Sequence, residues 1–164
     1  METARTIFSQ PNNEDYEDLL NLYTNKLSRK YLGGPVTKTK FDEKFVGFFD
    51  TKSEYYWVVR QKDTNQFIGM TYLTIYHDRV NYEISYQLNP EFWGKGYGVE
   101  TVQKTIDYAF QELKIKRLYA ETQKKNLKSI KLLEKLGFEL LQEEQRHGEI
   151  QSIYTKINTF PNLS

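Results

Sequence analysis

Apolar positions along the chain change their period several times, and each change predicts an element. Thr6-Ile7-Phe8 is a short run of strand character. Asn12 or Asn13 stands where a helix cap belongs, and Glu14 and Asp15 make the first turn acidic. Tyr16, Leu19, Leu20 and Tyr23 then recur at helical spacing. Residues 26–38 are basic and run into Gly33-Gly34-Pro35, which predicts a loop. Phe41, Phe45, Phe48 and Phe49 mark one face of a second, short helix. Residues 55–60 and 67–75 read as strands joined by the turn Lys62-Asp63-Thr64-Asn65, and His77-Asp78-Arg79 links them to a strand over 82–88.

The clearest helical stripe follows, with Val99, Val102, Ile106, Ala109, Phe110 and Leu113 on one side. Residues 117–121 predict a strand. Asn126 caps another helix, which turns Leu127, Ile130, Leu133 and Leu136 inward and stops at Gly137. Residues 138–141 and 150–157 complete a hairpin around Arg146-His147-Gly148. The order is strand, two helices, three strands, helix, strand, helix, two strands. With no repeat, low-complexity tract or linker, it predicts one mixed α/β domain over residues 1–164.

Between the strand at 82–88 and the helix that follows lies Asn89-Pro90-Glu91-Phe92-Trp93-Gly94-Lys95-Gly96-Tyr97-Gly98. Glycine admits left-handed backbone and lets a ligand approach without meeting a Cβ. Placed before a helix, such a turn aims free N–H groups and the positive end of the helix dipole at one spot, which suits a phosphate or pyrophosphate. The spacing G-x-G-x-G departs from the dinucleotide fingerprint G-x-G-x-x-G, and the strands before the turn look antiparallel. The G-K-[S/T] ending of a P-loop is absent.

Composition narrows the chemistry. The 164 residues hold 13 Tyr and 10 Phe, enough for a sizeable core although 27% are charged. Lys and Arg number 23 and Asp and Glu 22, a net charge of +1, so neither nucleic acid nor a membrane surface is expected as a partner. No apolar run approaches the ~20 residues that span a bilayer, and no signal-like segment opens the chain, so a cytoplasmic protein is expected. The absence of cysteine excludes disulfides, thiolate zinc sites and a cysteinyl acyl-enzyme. His77 and His147 sit in polar loop contexts without a ligand partner at helical or strand spacing, and no metal is expected.

A second motif follows the strand at 117–121: Asn126-x-x-Ser129-x-x-Leu132-Leu133-x-Lys135-x-Gly137-Phe138. With the glycine turn and the element order, the chain resembles the GNAT superfamily of acyl-CoA-dependent N-acyltransferases. It looks most like the branch containing the ribosomal-protein N-terminal acetyltransferases RimJ and RimL. The likeness runs from about residue 6 to residue 157. The turn matches the family's [Q/R]-x-x-G-x-[G/A] signature at Gly96 and Gly98. It departs at Trp93, where Gln or Arg is usual, so no side-chain contact to the pyrophosphate is expected there.

The resemblance implies a central, mostly antiparallel sheet with one splayed parallel strand pair, flanked by helices. It implies acetyl-CoA as acyl donor, lying in a wedge where strands 82–88 and 117–121 part. Backbone groups of Tyr86 and Leu88 would pair with the pantetheine arm, with the Leu88 N–H near the thioester oxygen. Trp93, Gly94, Lys95, Gly96, Tyr97 and Gly98 would hold the pyrophosphate, and Asn126 and Ser129 would face the pantetheine and sulfur. Asn126 also reads as a plain N-cap, and the two roles are compatible.

The implied reaction is direct attack of a primary amine on the thioester in a ternary complex. An ammonium has no lone pair, so a base or a water chain must take its proton. Glu121 and Glu83 are the candidate carboxylates, although strand alternation sets 83 on the face opposite 86 and 88. For the leaving thiolate, many family members carry tyrosine at the position of Leu133. Ser129 is the substitute, with Tyr154 and Tyr119 as alternatives. The acceptor, a protein N-terminus or a small-molecule amine, is expected between loop 26–38 and the loop at 146–149, with Tyr31 and Tyr86 as walls. Lys26, Arg29 and Lys30 read as solvated loop charges. A non-catalytic acyl-CoA-binding or regulatory module is the rival reading, and a monomer or homodimer is expected.

Overall fold

The computed structural model describes residues 1–49 and 52–160. The expected domain bounds of 1–164 therefore include residues 161–164, which lie outside the described residues. A seven-stranded sheet runs in the order β1-β2-β3-β4-β5-β7-β6. Its strands are β1 (Thr6–Ser9), β2 (Tyr55–Gln61), β3 (Phe67–Ile75), β4 (Tyr82–Leu88), β5 (Arg117–Gln123), β6 (Glu139–Arg146) and β7 (Glu149–Ile157). Every neighbouring pair is antiparallel except β4 and β5. The mixed α/β class and the single parallel pair agree with expectation.

Helices α1 (Tyr16–Thr24) and α2 (Lys38–Gly47) cover one face of the sheet, and α3 (Tyr97–Asp107) and α4 (Leu127–Lys135) cover the other. Two apolar clusters result. Leu19, Leu22, Phe41 and Phe45 pack on Val58 and Met70, while Val102, Ile106 and Leu133 pack on Val59, Ile84 and Leu118. Neighbouring Val58 and Val59 serve opposite faces, which is why β2 is apolar through its middle rather than alternating. Asn12, not Asn13, caps the first helical turn through a capping box with Asp15.

Two local expectations are corrected, and a third is refined. Leu127 is 64% exposed, because the first residue of α4 precedes the stripe that reaches the core. Phe49 is 47% exposed at the end of the segment that follows α2, where only Phe41, Phe45 and Phe48 reach the core. The stripe expected to reach Leu113 does so through a π turn, Tyr108–Glu112, in which Leu113 N–H donates to Tyr108 O at 3.1 Å and Leu113 packs against the core. The wider turn lets adjacent Ala109 and Phe110 both bury.

Two features fix the end of β4. α3 is tied to β3 by buried hydroxyls, Thr71 Oγ1 lying 3.0 Å from Thr105 Oγ1, and within the helix Thr101 donates to Tyr97 O at 2.7 Å. On the β3 side, Gly69 pairs with Leu88 so closely that a Cβ there would lie 2.1 Å from Gln87 O and 2.9 Å from Leu88 Cα. Among the described residues no helix is long and apolar enough to cross a membrane.

Since the obstacle at Gly69 is backbone, Gly69→Ala should destabilise the protein by about 3 kcal/mol, the upper end for overpacking. Urea unfolding followed by tryptophan fluorescence checks this; an unchanged midpoint would show that β4 can shift without cost.

Candidate active site

The β4–β5 pairing consists of Tyr82↔Leu118 and Glu83↔Tyr119 and then stops. From there β4 stays with β3 as far as Leu88, and β5 stays with β7 as far as Gln123. The strands thus part, and a cleft of about 740 Å³ opens between them. Beyond Glu83, the β4 edge facing β5 has no strand to satisfy its backbone groups.

On the α4 side, Tyr86 and Ser129 meet in the gap, with their hydroxyl oxygens 2.6 Å apart. Burial pushes the Tyr86 phenol up to about 12, although the bond to Ser129 opposes the rise. Leu133 lines the cleft nearby. Asn126 caps α4, its Oδ1 accepting from Ser129 N–H at 3.4 Å, and so fixes where Ser129 stands. Of the alternative tyrosines, Tyr119 stacks on Tyr76 with ring centroids 4.0 Å apart, and Tyr154 is buried with its hydroxyl toward Glu134. Neither is among the cleft-lining residues.

At the mouth of the gap lies the glycine turn. Gly94 and Gly96 take positive φ, +72° and +85°, which L side chains rarely adopt. Gly98 does a different job: its missing Cβ leaves room for Leu132 Cδ1, which would lie 2.9 Å away, so α3 and α4 approach closely. The first ladder bond of α3 is Glu100 N–H to Gly96 O at 3.1 Å. The N–H groups of Gly98 and Val99 precede it and have no acceptor within the helix. Arg5 braces the turn from behind, donating to Lys95 O at 3.1 Å and stacking 4.0 Å from the Tyr97 ring centroid.

Most of the residues expected to bind a cofactor come together here. Tyr86, Leu88, Trp93, Gly94, Gly96 and Gly98 line the cleft, as do Asn126 and Ser129. Lys95 and Tyr97 do not: the Lys95 carbonyl is taken by Arg5, and buried Tyr97 accepts from Gln61 Nε2 at 2.8 Å. Trp93 Nε1 donates to Leu88 O at 3.0 Å, which ties the turn to the strand end. Sequence reasoning missed Lys128, whose ammonium lies 5.1 Å from the Trp93 ring, and Lys125, both in the cleft wall. Their placement on α4 and its cap loop was a available signal, since both precede or follow Asn126 within two residues.

Across the gap, on the α1–α2 side, stand the two carboxylates. Burial pushes Glu83 up to about 7; nearby Glu121 adds to the rise, and Arg146 opposes it. Glu121 is engaged at both oxygens, accepting from Arg146 Nη1 at 2.9 Å and Nη2 at 3.0 Å. Arg146 also donates to Glu144 at 2.6 Å and touches His77 Nε2 at 3.0 Å. The β3–β4 pairing has no bulge near 83, so the alternation expected from sequence holds. Glu83 shares the cleft with Tyr86 because the parted strands expose both faces of β4.

Tyr31 lines the cleft from the loop between α1 and α2. Arg29 of that loop is buried, not solvated as expected. It donates to Leu32 O at 2.8 Å, Gly34 O at 3.1 Å and Gln87 Oε1 at 3.3 Å, and it gives the loop its shape.

A family profile described as Acetyltransferase (GNAT) domain matches residues 5–139. The chain belongs to the GNAT acetyltransferase family. It is 38% identical over 98 residues to the uncharacterized N-acetyltransferase p20 of Bacillus licheniformis, a match covering 57% of this chain and 55% of p20. It is 26% identical over 145 residues to the uncharacterized N-acetyltransferase YoaA of Bacillus subtilis, covering 85% of this chain and 82% of YoaA. In structure, the spermidine N-acetyltransferase from Vibrio cholerae, solved with CoA and spermine, superimposes with a TM-score of 0.84 at 19% identity, over 96% of this chain and 98% of that one. This last likeness speaks for the fold.

GNAT acetyltransferases use acetyl-CoA, and the residues present fit it. The cleft offers an unpaired strand edge for an amide-bearing arm, two free helix N–H groups for an anion, and Lys128 over the Trp93 ring in the same lining. Among the described residues no group of His, Cys, Asp and Glu could hold a metal.

Asn126→Ala removes the cap of α4 and should cost about 1 kcal/mol, read as a lowered urea midpoint. An unchanged midpoint would mean that packing alone sets the start of α4.

Proposed function

We propose that this GNAT chain transfers the acetyl group of acetyl-CoA to a primary amine, on a protein N-terminus or a small molecule, by direct attack in a ternary complex. This is the activity that the likeness to the RimJ and RimL branch implies. The observation that carries the reading is the cleft where β4 and β5 part, which brings the Glu83 carboxyl and the Tyr86–Ser129 hydroxyl pair to the open edge of β4.

Each residue has a task. The free N–H groups at the start of α3, with Lys128, hold the diphosphate. The open edge of β4, at Tyr86 and Leu88, pairs with the pantetheine. Acetyl-CoA, when bound, supplies an activated thioester. Glu83 takes a proton from the acceptor ammonium. A carboxylate poised near 7 is a stronger base than an ordinary glutamate yet is substantially ionised at neutral pH. Glu121 is the weaker candidate, because Arg146 occupies both of its oxygens. Its role is to raise Glu83. Tyr86, protonated at neutral pH and bonded to Ser129, supplies a proton for the leaving thiolate. The rival reading of a non-catalytic module rests on Leu133 alone, and the hydroxyl pair stands in the same cleft with the proton that Leu133 lacks.

The reading is tested by following thiol release from acetyl-CoA across a panel of amines and peptides, with calorimetry for CoA binding. No heat with CoA, or binding without turnover across the panel, overturns it. Glu83 is active when ionised, so kcat/KM should rise with pH through an apparent value of about 7. Glu83→Gln should remove that limb and lower kcat/KM by about 10²–10⁴-fold. Arg146→Gln removes a charge that lowers Glu83 and should move the limb to higher pH. Glu121→Gln removes one that raises it and should move the limb to lower pH. Loss of the limb in Glu121→Gln would instead make Glu121 the base.

A further inference from the structure

Resting on the acetyltransferase reading above, we propose that the acceptor is a monoamine carried on an apolar or aromatic body, and that the cleft selects against polyamines. The odd positions of β4 face the loop between α1 and α2: Gln87 on that face meets Arg29, and Glu83 and Ser85 line the cleft beside it. The opposing wall is built from that loop, with Leu27, Lys30, Tyr31 and Leu32 in the lining. Between Asn25 and Phe41 the chain has no Asp or Glu, while Lys26, Arg29, Lys30, Lys38 and Lys40 all fall within it.

Among the described residues, the carboxylates that line the cleft are Glu83 and Glu121. Glu121 keeps its charge but is already paired through the two-pronged contact with Arg146, and His77 stands 3.4 Å from it. Glu83 is committed to the reacting nitrogen. A polyamine brings at least one more ammonium on the same flexible chain. Each ammonium withdrawn from water needs a carboxylate, carbonyl or aromatic face. The aromatic face that the loop supplies, Tyr31, already has the Lys30 ammonium 5.2 Å from its centroid, and Tyr72, in the lining beside Ser85, is taken up by stacking on Tyr56 and by the Gln87 amide. A second substrate cation would therefore meet a lysine where it needs an acceptor.

Apolar surface is what the wall does offer. Leu27 is 60% exposed and Leu32 is 41% exposed, and both lie at the cleft. An uncharged apolar body bound there covers them and leaves its single ammonium to Glu83. Arg29 secures this wall from within through the Leu32 and Gly34 carbonyls, so it is formed before the acceptor arrives. The Vibrio cholerae enzyme was solved with spermine; this cleft points to a different class of amine.

The test measures acceptor binding by calorimetry in the presence of saturating CoA, and separately thiol release from acetyl-CoA. The acceptors are 2-phenylethylamine, a peptide amide with an N-terminal leucine, a peptide amide with an N-terminal glutamate, and spermidine. The phenyl and leucyl amines should bind at least about tenfold more tightly than spermidine, the order following from an unpaired cation in the cleft. Lys30→Glu should narrow the gap several-fold by improving spermidine. Spermidine or the glutamyl peptide binding best, or a spermidine affinity indifferent to Lys30→Glu, overturns the proposal, as does failure of all four to bind. If the apolar amines bind first in order but no acceptor releases thiol, the acetyltransferase reading falls while the acceptor preference stands.

Discussion

Two parallel strands that pair for two residues and then separate are the constraint on which this molecule depends. Each strand keeps a full antiparallel partner on its other side, β3 for β4 and β7 for β5, so the parting costs the sheet no more than one edge of each. The exposed edge of β4 must be satisfied by water or by a ligand. The gap is held open by side chains rather than left to collapse. Tyr86 reaches across to Ser129, and Leu133 and Leu132 of α4 pack beside them. At the end of the gap, the glycine turn is fastened by Trp93 to Leu88 and by Arg5 to Lys95, and further along α3 the hydroxyls of Thr105 and Thr71 tie the helix to β3.

The same parting sets the electrostatics. Where β4 and β5 are still paired, Glu83 and Tyr119 are neighbours, and Glu121 is two residues further on, so two carboxylates face each other at the apex. Both cannot be ionised there without cost. The structure resolves the conflict unequally. Arg146, reaching in from the β6–β7 hairpin, grips Glu121 and leaves Glu83 half-buried without a cation of its own. One carboxylate becomes a fixed charge and the other a group poised near neutrality. Because the folded state holds the Glu83 proton more tightly than an unfolded chain would, this group weakens the fold as pH rises from about 4.5 to about 7.

The elements and the turn were legible because their signals are local. The stripe of α3, the capping asparagines at 12 and 126, and the glycines at 94 and 96 each act over a few residues, where period and backbone freedom decide the outcome. The errors arose where burial depends on a partner distant in sequence. Leu127 fits the helical spacing yet is 64% exposed, since the first turn of α4 meets the sheet through Ser129 and not through Leu127. Arg29 reads as a solvated loop charge, but a glutamine 58 positions away and two carbonyls of its own loop draw it inside.

By itself the sequence determined the order of strands and helices, the glycine turn at the start of a helix, the exclusion of cysteine chemistry, and the set of residues from which a site could be drawn. These follow from side-chain period, backbone permissiveness and the inventory of functional groups, all of which are properties of the chain before it folds. Only the tertiary structure decided the division of labour between Glu83 and Glu121 and the meeting of Tyr86 with Ser129. Arg146 lies 25 residues from Glu121, and Ser129 lies 43 from Tyr86. Proton affinity at such a site is set by burial and by charges a few ångströms away, and those distances exist only once the strands have been brought together and then parted.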